Sequence, residues 1–243
     1  MSKDIVVKKG LDLRLVGKPS LEIEEAKFSK DFSIYPTDFH GVFPKLLVKQ
    51  NDLVKSGDAL FFDKNSEKVK FVSPVSGKIK EIVRGERRKV LEIKIEADKN
   101  ISYKKITKLK SEEPTHIIDF LLENGLWPFF KQRPYDVIAN PNSNPKEIFV
   151  SGFDSSPLSA DYDFTTKDNK QTISKAITIL SKLTNGSINI SLRKESDSFL
   201  RGLSDVVIHN VSGPHPSGNL STIINKVCPI NKGDIIWTLN LPD

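Results

Sequence analysis

Cysteine is nearly absent from the 243-residue sequence, which contains only Cys228. One thiol cannot form an internal disulfide, and an iron–sulfur cluster needs about four cysteine ligands. The four histidines, His40, His116, His209 and His215, are dispersed, and none has a second histidine at the spacing of a zinc site. We therefore expect no disulfide, no iron–sulfur cluster and no metal site in this chain.

Long apolar runs are missing as well. A membrane-spanning helix needs roughly 20 consecutive apolar residues, and no stretch of this sequence approaches that length. The N-terminal segment MSKDIVVKKG lacks the apolar core of an export signal. We expect a chain without a transmembrane segment that stays in the cytoplasm.

Charge of one sign is not gathered in one part of the chain. The 37 lysines and arginines are interspersed with 31 aspartates and glutamates, which gives a net charge of +6. So diffuse a surplus argues against a nucleic-acid partner. The densest run, Arg84–Lys89, could meet phosphate or a membrane surface, but short charge runs are more often solvated. We expect a solvated hairpin turn there.

The composition indicates a globular protein, and the order of apolar and polar residues indicates two domains. Hydrophobic residues make up 37% of the chain and charged residues 28%, a balance typical of a soluble globular protein. The first part consists of short alternating runs separated by Gly, Pro, Asn and Asp, which predicts small antiparallel strands. The predicted strands are Ile5–Lys8, Lys45–Lys49, Ala59–Asp63, Lys68–Val72, Gly77–Val83 and Val90–Ile95.

The pattern changes near residue 104. Helical spacing of apolar residues predicts a helix over Glu112–Asn124, and after residue 146 strand and helix signals alternate. A β-α-β-α-β order favours a parallel sheet with right-handed crossovers. We therefore predict a mixed α+β and α/β chain, with an all-β domain over residues 1–103 and a Rossmann-like α/β domain over 104–211. A Gly/Pro loop and return strands follow over 212–243.

One segment of the first domain has the turns of a known fold. Its two tight turns precede Ser73–Gly77, where the glycine allows backbones to approach closely. This arrangement resembles the barrel-sandwich hybrid fold of biotinyl and lipoyl domains. Carrier domains of that fold modify a lysine on an exposed hairpin, and Lys64 lies at that place without flanking methionines. We favour a structural barrel and keep a lipoyl- or biotinyl-type carrier module as an alternative.

The loop after the predicted helix is rich in aromatic rings. It contains one glycine, which is too few for a phosphate-binding loop. Trp127, Phe129 and Phe130 could line a flat apolar slot, with Arg133 available to a carbonyl oxygen, as in a quinone cleft. The alternative, which we favour, is that the rings pack a domain interface.

The segment after the strand at residue 150 carries three carboxylates. Asp154, Asp161 and Asp163 follow the carboxyl end of a predicted strand, where open α/β sheets bind ligands. Carboxylate oxygens could ligate a hard cation, but the spacing matches no calcium loop. A solvated loop is the better interpretation.

A second loop, Gly213–Gly218, holds His215 between Pro214 and Pro216. The two prolines restrict the backbone on both sides of the histidine. The loop suits a docking contact as well as it suits turn geometry alone.

Six motifs, taken in order, resemble the A subunit of the bacterial sodium-translocating NADH:quinone reductase. They are Lys8–Leu13, Ser73–Gly77, Arg84–Arg88, Gly125–Phe129, Phe153–Leu158 and Gly213–Gly218. Members of that family are longer by a C-terminal part. The resemblance therefore implies an N-terminal fragment from which a further C-terminal domain is missing.

The resemblance also implies a peripheral subunit on the cytoplasmic side of the bacterial inner membrane. The complex has six subunits, oxidises NADH, reduces ubiquinone and exports Na⁺. Its FAD, FMN, riboflavin and iron–sulfur cluster belong to the other five subunits. This chain is then expected to have no catalytic residue, to be inactive in isolation, and to act in ubiquinone interaction or docking. A scaffold without a quinone site and the C subunit of an Rnf-type electron-transport complex are the alternatives.

The same family is similar in fold to the nucleotide-binding subunit of respiratory complex I, whose glycine-rich loop cradles a flavin. In this chain the corresponding stretch after Gly125 reads Leu-Trp-Pro-Phe-Phe-Lys-Gln-Arg-Pro. Such bulky side chains would occupy the space of the flavin. The departure from the relative therefore argues against flavin binding.

Overall fold

A computed structural model describes residues 1–17 and 19–243. The chain divides into two compact units. The α/β unit comprises residues 1–23, 130–135 and 142–243, and the barrel unit comprises residues 24–129 and 136–141.

Strands are short throughout the described residues, and the helices are few. The strands are β1 (Asp4–Val6), β2 (Asp31–Ile34), β3 (Pro44–Leu46), β4 (Leu53–Val54), β5 (Ala59–Asp63), β6 (Ser66–Val72), β7 (Gly77–Arg84), β8 (Val90–Ala97), β9 (Lys131–Arg133), β10 (Val137–Ile138), β11 (Glu147–Ser151), β12 (Ile188–Arg193), β13 (Val206–Ser212) and β14 (Ile236–Asn240). The helices are α1 (Pro114–Glu123), α2 (Tyr162–Thr165), α3 (Lys170–Leu180) and α4 (Leu220–Val227). None of the helices within residues 1–17 and 19–243 has both the length and the apolar character needed to cross a bilayer.

The barrel unit contains two antiparallel sheets. One has the strand order β2-β8-β7-β4 and the other the order β3-β5-β6. Apolar side chains of both sheets, including Leu60, Phe61, Ile79 and Ile93, are completely buried. The rings of Phe61 and Phe71 stack with centroids 4.4 Å apart. Each side chain buried in this way stabilises the unit by about 1.5–3 kcal/mol. The antiparallel strands predicted between residues 59 and 95 are confirmed.

Helix α1 ends where its glycine allows a left-handed backbone. The predicted span is Glu112–Asn124, and the helix runs over Pro114–Glu123 with a proline in its first turn. Gly125 has φ of +71°, and the N–H of Leu126 donates to the carbonyl of Leu121 at 2.8 Å. A Cβ on Gly125 would lie 2.2 Å from Cγ1 of Val72, so the tight approach also requires glycine.

The α/β unit is built on a largely parallel sheet. Its strands follow the order β1-β13-β12-β11-β14-β9, of which all but β9 are parallel. Helix α4 covers this sheet with Leu220, Ile223 and Ile224, which pack with Phe149 and Ile236 in one buried cluster. The predicted alternation of strands and helices after residue 146 is confirmed by the parallel strands β11, β12 and β13 and by helix α3 between β11 and β12.

The two contact units do not follow the chain in order. Residues 1–23 group with the α/β unit, because β1 hydrogen-bonds in parallel to β13. The sequence predicts a loop and return strands for the tail over residues 212–243. The tail supplies α4 and β14, and β14 joins the parallel sheet beside β11. Both features depend on pairing between segments far apart in the sequence, which local patterns do not encode.

A polar group is completely buried among these parallel strands. His209 on β13 has no exposed surface, its Nε2 lies 2.9 Å from Oδ1 of Asn189, and its Nδ1 accepts the backbone N–H of Lys3 at 3.2 Å. Asn189 in turn donates to Oε2 of Glu147 at 2.6 Å. Burial, followed by the positive charges of the N-terminus and Lys3, lowers the pKa of His209 from 6.5 to about 4. The imidazole is therefore neutral at pH 7.

This histidine predicts an acid-sensitive fold. Below pH 6.5 the unfolded chain binds a proton at His209, whereas the folded chain binds this proton only near pH 4. Stability contributed by neutral His209 is therefore present above pH 6.5 and falls by on the order of 3 kcal/mol as the pH drops through this window. Urea unfolding between pH 7 and pH 4 measures the loss. His209→Gln should flatten the slope, whereas His40→Gln, at an exposed position, should retain it. An unchanged slope in His209→Gln would contradict the assignment.

Candidate functional site

The strand order of the α/β unit reverses at one point. After β11 the chain proceeds to β12 on one side, and after α4 it enters β14 on the other side of β11. In open α/β sheets, ligands bind in the crevice at the carboxyl ends of the strands where such a reversal occurs. The topology therefore directs attention to the ends of β11 and β14.

A cavity of about 240 Å³ lies at this reversal point. Ser151 is the last residue of β11 and Asn240 the last of β14, and both line the cavity. Eight of its eleven lining residues are polar or charged, so the cavity suits a ligand with several hydrogen-bonding atoms. The lining consists of Arg133, Ser151, Phe153, Asp154, Ser156, Tyr162, His215, Gly218, Asn219, Leu220 and Asn240.

Helix α4 begins at the wall of this cavity. The side chain of Asn219 caps the helix by accepting the backbone N–H of Ser221 at 2.9 Å. A helix N-terminus carries a partial positive charge, which favours an acceptor oxygen nearby. Just before the cap, a Cβ on Gly218 would lie 2.5 Å from the backbone nitrogen of Ser155. The glycine therefore lets the helix start and the loop after β11 meet.

Ser155 connects these two segments. Its Oγ accepts the backbone N–H of Gly218 at 2.8 Å and lies 2.9 Å from Nδ1 of His215. The backbone of His215 is held in addition, because its N–H donates to Asp12 at 2.8 Å and its carbonyl accepts the N–H of Leu11 at 3.0 Å. The predicted docking loop Gly213–Gly218 is thus half-buried and fixed on two sides.

Arg133 supplies the cationic group of the site. It is the last residue of β9, and its Nη1 donates to Oγ of Ser221 at 2.9 Å. Arg133 also lines a second cavity of about 210 Å³, together with Pro134, Ser221, Ile224, Asn225 and Ile230. The Arg133 side chain therefore lines two cavities of the α/β unit.

A carboxylate and a phenol face the same cavity. Oδ1 of Asp154 accepts both the backbone N–H and the hydroxyl of Ser156 at 2.8 Å. Burial, and then the negative charges of Asp154 and Asp243, raise the pKa of Tyr162 above its ordinary value. The phenol is therefore protonated at neutral pH and can donate a hydrogen bond to a ligand.

The four residues of the predicted quinone cleft are divided between the two units. Trp127 and Phe129 belong to the barrel unit, whereas Phe130 and Arg133 belong to the α/β unit. The Trp127 indole is completely buried and donates to the carbonyl of Ala139 at 2.7 Å. Phe130 is buried against Trp237, with ring centroids 5.9 Å apart. Phe129 is 45% exposed, so of the three rings only this one presents a substantial surface.

Residues from two separate predictions line the cavity. Arg133, from the predicted quinone cleft, and His215, from the predicted docking loop, both line it. Gly213, Pro214 and Pro216 belong to the same loop as His215 but are not among the lining residues.

The three predicted cation ligands do not converge. Asp161 caps α2 by accepting the N–H of Phe164 at 3.1 Å, and Oδ2 of Asp163 accepts the hydroxyl of Ser196 at 2.7 Å. Within the described part of the chain, no group of three His, Cys, Asp or Glu side chains is placed to hold a metal ion. The loop after β11 therefore contributes Phe153, Asp154 and Ser156 to the wall of the cavity.

Several lining residues escaped the sequence patterns. Ser151 could have been found from its place at the end of a predicted strand. Tyr162, Asn219 and Asn240 carry no motif, and Asn240 reaches the site only because β14 pairs with β11. Their convergence depends on long-range pairing.

Comparisons with known proteins cover both units. Residues 5–98 match the family model described as the NqrA N-terminal barrel-sandwich hybrid domain, and residues 112–243 match the NqrA second alpha/beta domain. A protein of Marinomonas sp. (strain MWYL1), named as the A subunit of a Na(+)-translocating NADH-quinone reductase, is 36% identical over 241 residues, which cover 98% of this chain and 54% of that protein. Proteins of the same name from Histophilus somni (strain 2336) and Yersinia pseudotuberculosis are each 32% identical over 247 residues, with coverage of 98% and 54%. The chain thus spans about half the length of these curated relatives.

Ser155 is predicted to be a structural link of the site. Ser155→Ala removes the acceptor of the buried Gly218 N–H and the hydroxyl beside His215. Leaving a buried donor without a partner costs about 1–3 kcal/mol, which urea denaturation measures as a lower free energy of unfolding. Ser159→Ala, in the same loop, is the matched control because its hydroxyl donates only to the carbonyls of Ser156 and Asp154. Equal losses in both variants would show that Ser155 has no special role.

Proposed function

Since the chain belongs to the NqrA family, the A subunits of Na⁺-translocating NADH-quinone reductases, we propose that it works within that multi-subunit enzyme. It supplies the barrel-sandwich and second α/β domains of a peripheral subunit on the cytoplasmic side of the membrane. Its partners are the other five subunits, and the reaction of the complex couples NADH oxidation and quinone reduction to Na⁺ export.

The chain itself carries no redox cofactor in this proposal. Buried side chains support this assignment. Trp127 and Phe130 are buried in the stretch that corresponds to the flavin loop of the nucleotide-binding subunit of respiratory complex I. The only cysteine supports it as well. Burial, and then the Glu147 carboxylate, raise the pKa of Cys228, which keeps it a protonated thiol at neutral pH. The FAD, FMN, riboflavin and iron–sulfur cluster are then held by the other subunits.

The contribution of this chain is contact with the quinone head group at the reversal-point cavity. The meeting of Arg133 and His215 in that cavity is the observation that carries the proposal. A quinone has two carbonyl oxygens that accept hydrogen bonds. Arg133, the protonated Tyr162 phenol and the start of α4 are donors at this site. Phe153 offers an aromatic surface to the ring.

The size of the cavity agrees with a single ring. Sites for drug-sized ligands occupy about 300–1,000 Å³. The volume of about 240 Å³ found here lies below that range, which suits a substituted ring better than a flavin nucleotide or a dinucleotide. The isoprenoid tail of a quinone would extend outside the cavity.

Titration with a soluble, short-tailed ubiquinone tests the role of Arg133. We expect saturable quenching of tryptophan fluorescence, since Trp237 lies on β14, the strand that ends at the cavity. Arg133→Ala should raise the dissociation constant about tenfold or more, because a charged hydrogen bond contributes about 1.5–3 kcal/mol. Arg14→Ala, at an exposed position of the same unit, is the matched control. A signal that is the same in wild type and Arg133→Ala would reject the quinone site.

Docking without quinone binding is the second candidate. It is favoured by the loop Gly213–Gly218, whose residues Gly213 to Pro216 keep part of their surface exposed while residues 11 and 12 hold the backbone. In that case His215→Ala combined with Pro216→Ala should reduce recovery of the other subunits with a tagged chain from membranes. The double variant should still give the spectroscopic signal of a folded chain. The wild-type chain should show no binding in the quinone titration.

A further inference from the structure

The barrel unit contains a cleft of about 430 Å³ that is lined mainly by cations. Six of its ten lining residues are lysine or arginine, and no acidic residue is among the described residues that line it. The lining consists of Phe43, Pro44, Lys45, Leu46, Lys64, Arg84, Arg87, Arg88, Lys89 and Val90. A surplus of charge that is diffuse along the sequence is thus concentrated in one place of the fold.

Turns from both sheets of the barrel build this cleft. The turn between β7 and β8 brings Arg87, Arg88 and Lys89, and the turn between β5 and β6 brings Lys64. Lys45 comes from β3. The solvated hairpin turn predicted for Arg84–Lys89 is confirmed, because it connects β7 to β8 with its charged side chains exposed, and it forms one wall of the cleft.

The cations of the cleft differ from several exposed lysines of the barrel unit. Lys30 is paired with Glu96 at 2.6 Å and Lys80 with Asp31 at 2.7 Å. Within residues 1–17 and 19–243, none of the six cleft cations forms an ion pair with a carboxylate. Like charges that face one cleft repel each other, and an anion bound there would relieve the repulsion.

The hairpin between β7 and β8 has arginine at two positions where glycine or asparagine would make the folded turn more stable. Arg87 and Arg88 have φ of 51° and 60°, in the left-handed region. A side chain there costs roughly 1–2 kcal/mol per residue, and turns of this kind usually carry Gly, Asn or Asp. Strain of this type concentrates at functional sites. The two arginines thus point to a function for their guanidinium groups in the cleft.

We propose that this cleft binds the phosphate group of an anionic ligand. The planar guanidinium donates two parallel hydrogen bonds to phosphate oxygens, and lysine adds further positive charge. Phe43, which is 61% exposed, lies beside Pro44 and Leu46 on the same wall and offers an apolar contact to the rest of the ligand. A phospholipid head group and a soluble phosphate compound share this chemistry. The proposal is independent of the quinone cavity, which belongs to the α/β unit.

Two binding assays on the purified chain distinguish the sources. The first assay measures how much of the chain floats with phosphatidylcholine vesicles that contain or lack phosphatidylglycerol. The second assay measures the binding of inorganic pyrophosphate by calorimetric titration. Binding to the anionic vesicles alone identifies a lipid head group, and binding to pyrophosphate identifies a soluble phosphate ligand. Either result supports the cleft as a phosphate site, and the absence of binding in both assays at low ionic strength overturns it.

The double variant Arg87→Asn, Arg88→Gly tests the residues. Asn and Gly suit the left-handed backbone of the turn, so the variant should fold at least as well as wild type. We expect its affinity to fall about tenfold or more, because two forked donors are lost. The control Lys30→Asn, Lys80→Asn removes the same net charge from exposed positions outside the cleft, and its affinity should stay within about twofold of wild type. Equal affinity in the two double variants would show binding by diffuse charge and overturn the proposal.

Discussion

Parallel hydrogen bonding between β11 and β14 determines where the α/β unit can hold a ligand. The register pairs Val150 with Leu239 and Ser151 with Asn240, so the two strands end at the same level. Helix α4 begins at the same end because it follows β13, which runs parallel to β12 and β11 and therefore ends at that edge of the sheet. The loop after β11, the start of α4 and the end of β14 are thereby gathered around one cavity. Without this pairing, the residues that line the cavity would lie on unrelated loops.

Close backbone contacts keep these segments together. Gly218 has no room for a Cβ beside Ser155, and Gly10 has none beside the carbonyl of His215. Gly213, at φ of +113°, likewise lies against the carbonyl of Val7. These three contacts explain why the loop before α4 is half-buried and held by the first residues of the chain. They also explain why His215 reaches the cavity as a fixed group.

Electrostatics divides the surface of the barrel unit into two kinds of region. Where Lys30, Lys80 and Lys94 lie along β2, β7 and β8, each cation has a carboxylate partner. Such exposed pairs contribute little stability, about 0–1 kcal/mol each, but they neutralise the surface. At the β7–β8 turn the cations have no such partners in the described part of the chain. The cleft therefore brings together six cations that are not paired with carboxylates of the described residues, which raises the positive potential there.

Local patterns in the sequence indicated several elements, the two fold classes and the family. Alternation predicted β5 with its observed bounds, it predicted β7 and β8 to within two residues at each end, and helical spacing predicted α1. These features depend on neighbours within a few positions, which the sequence displays directly. Only the tertiary structure shows that β1 and β14 join the parallel sheet, that Trp127 is buried while Phe129 is exposed, and that Arg133 and His215 line one cavity. Pairing between segments separated by tens to hundreds of residues is set by the free energy of the whole packed core, and no local pattern specifies it.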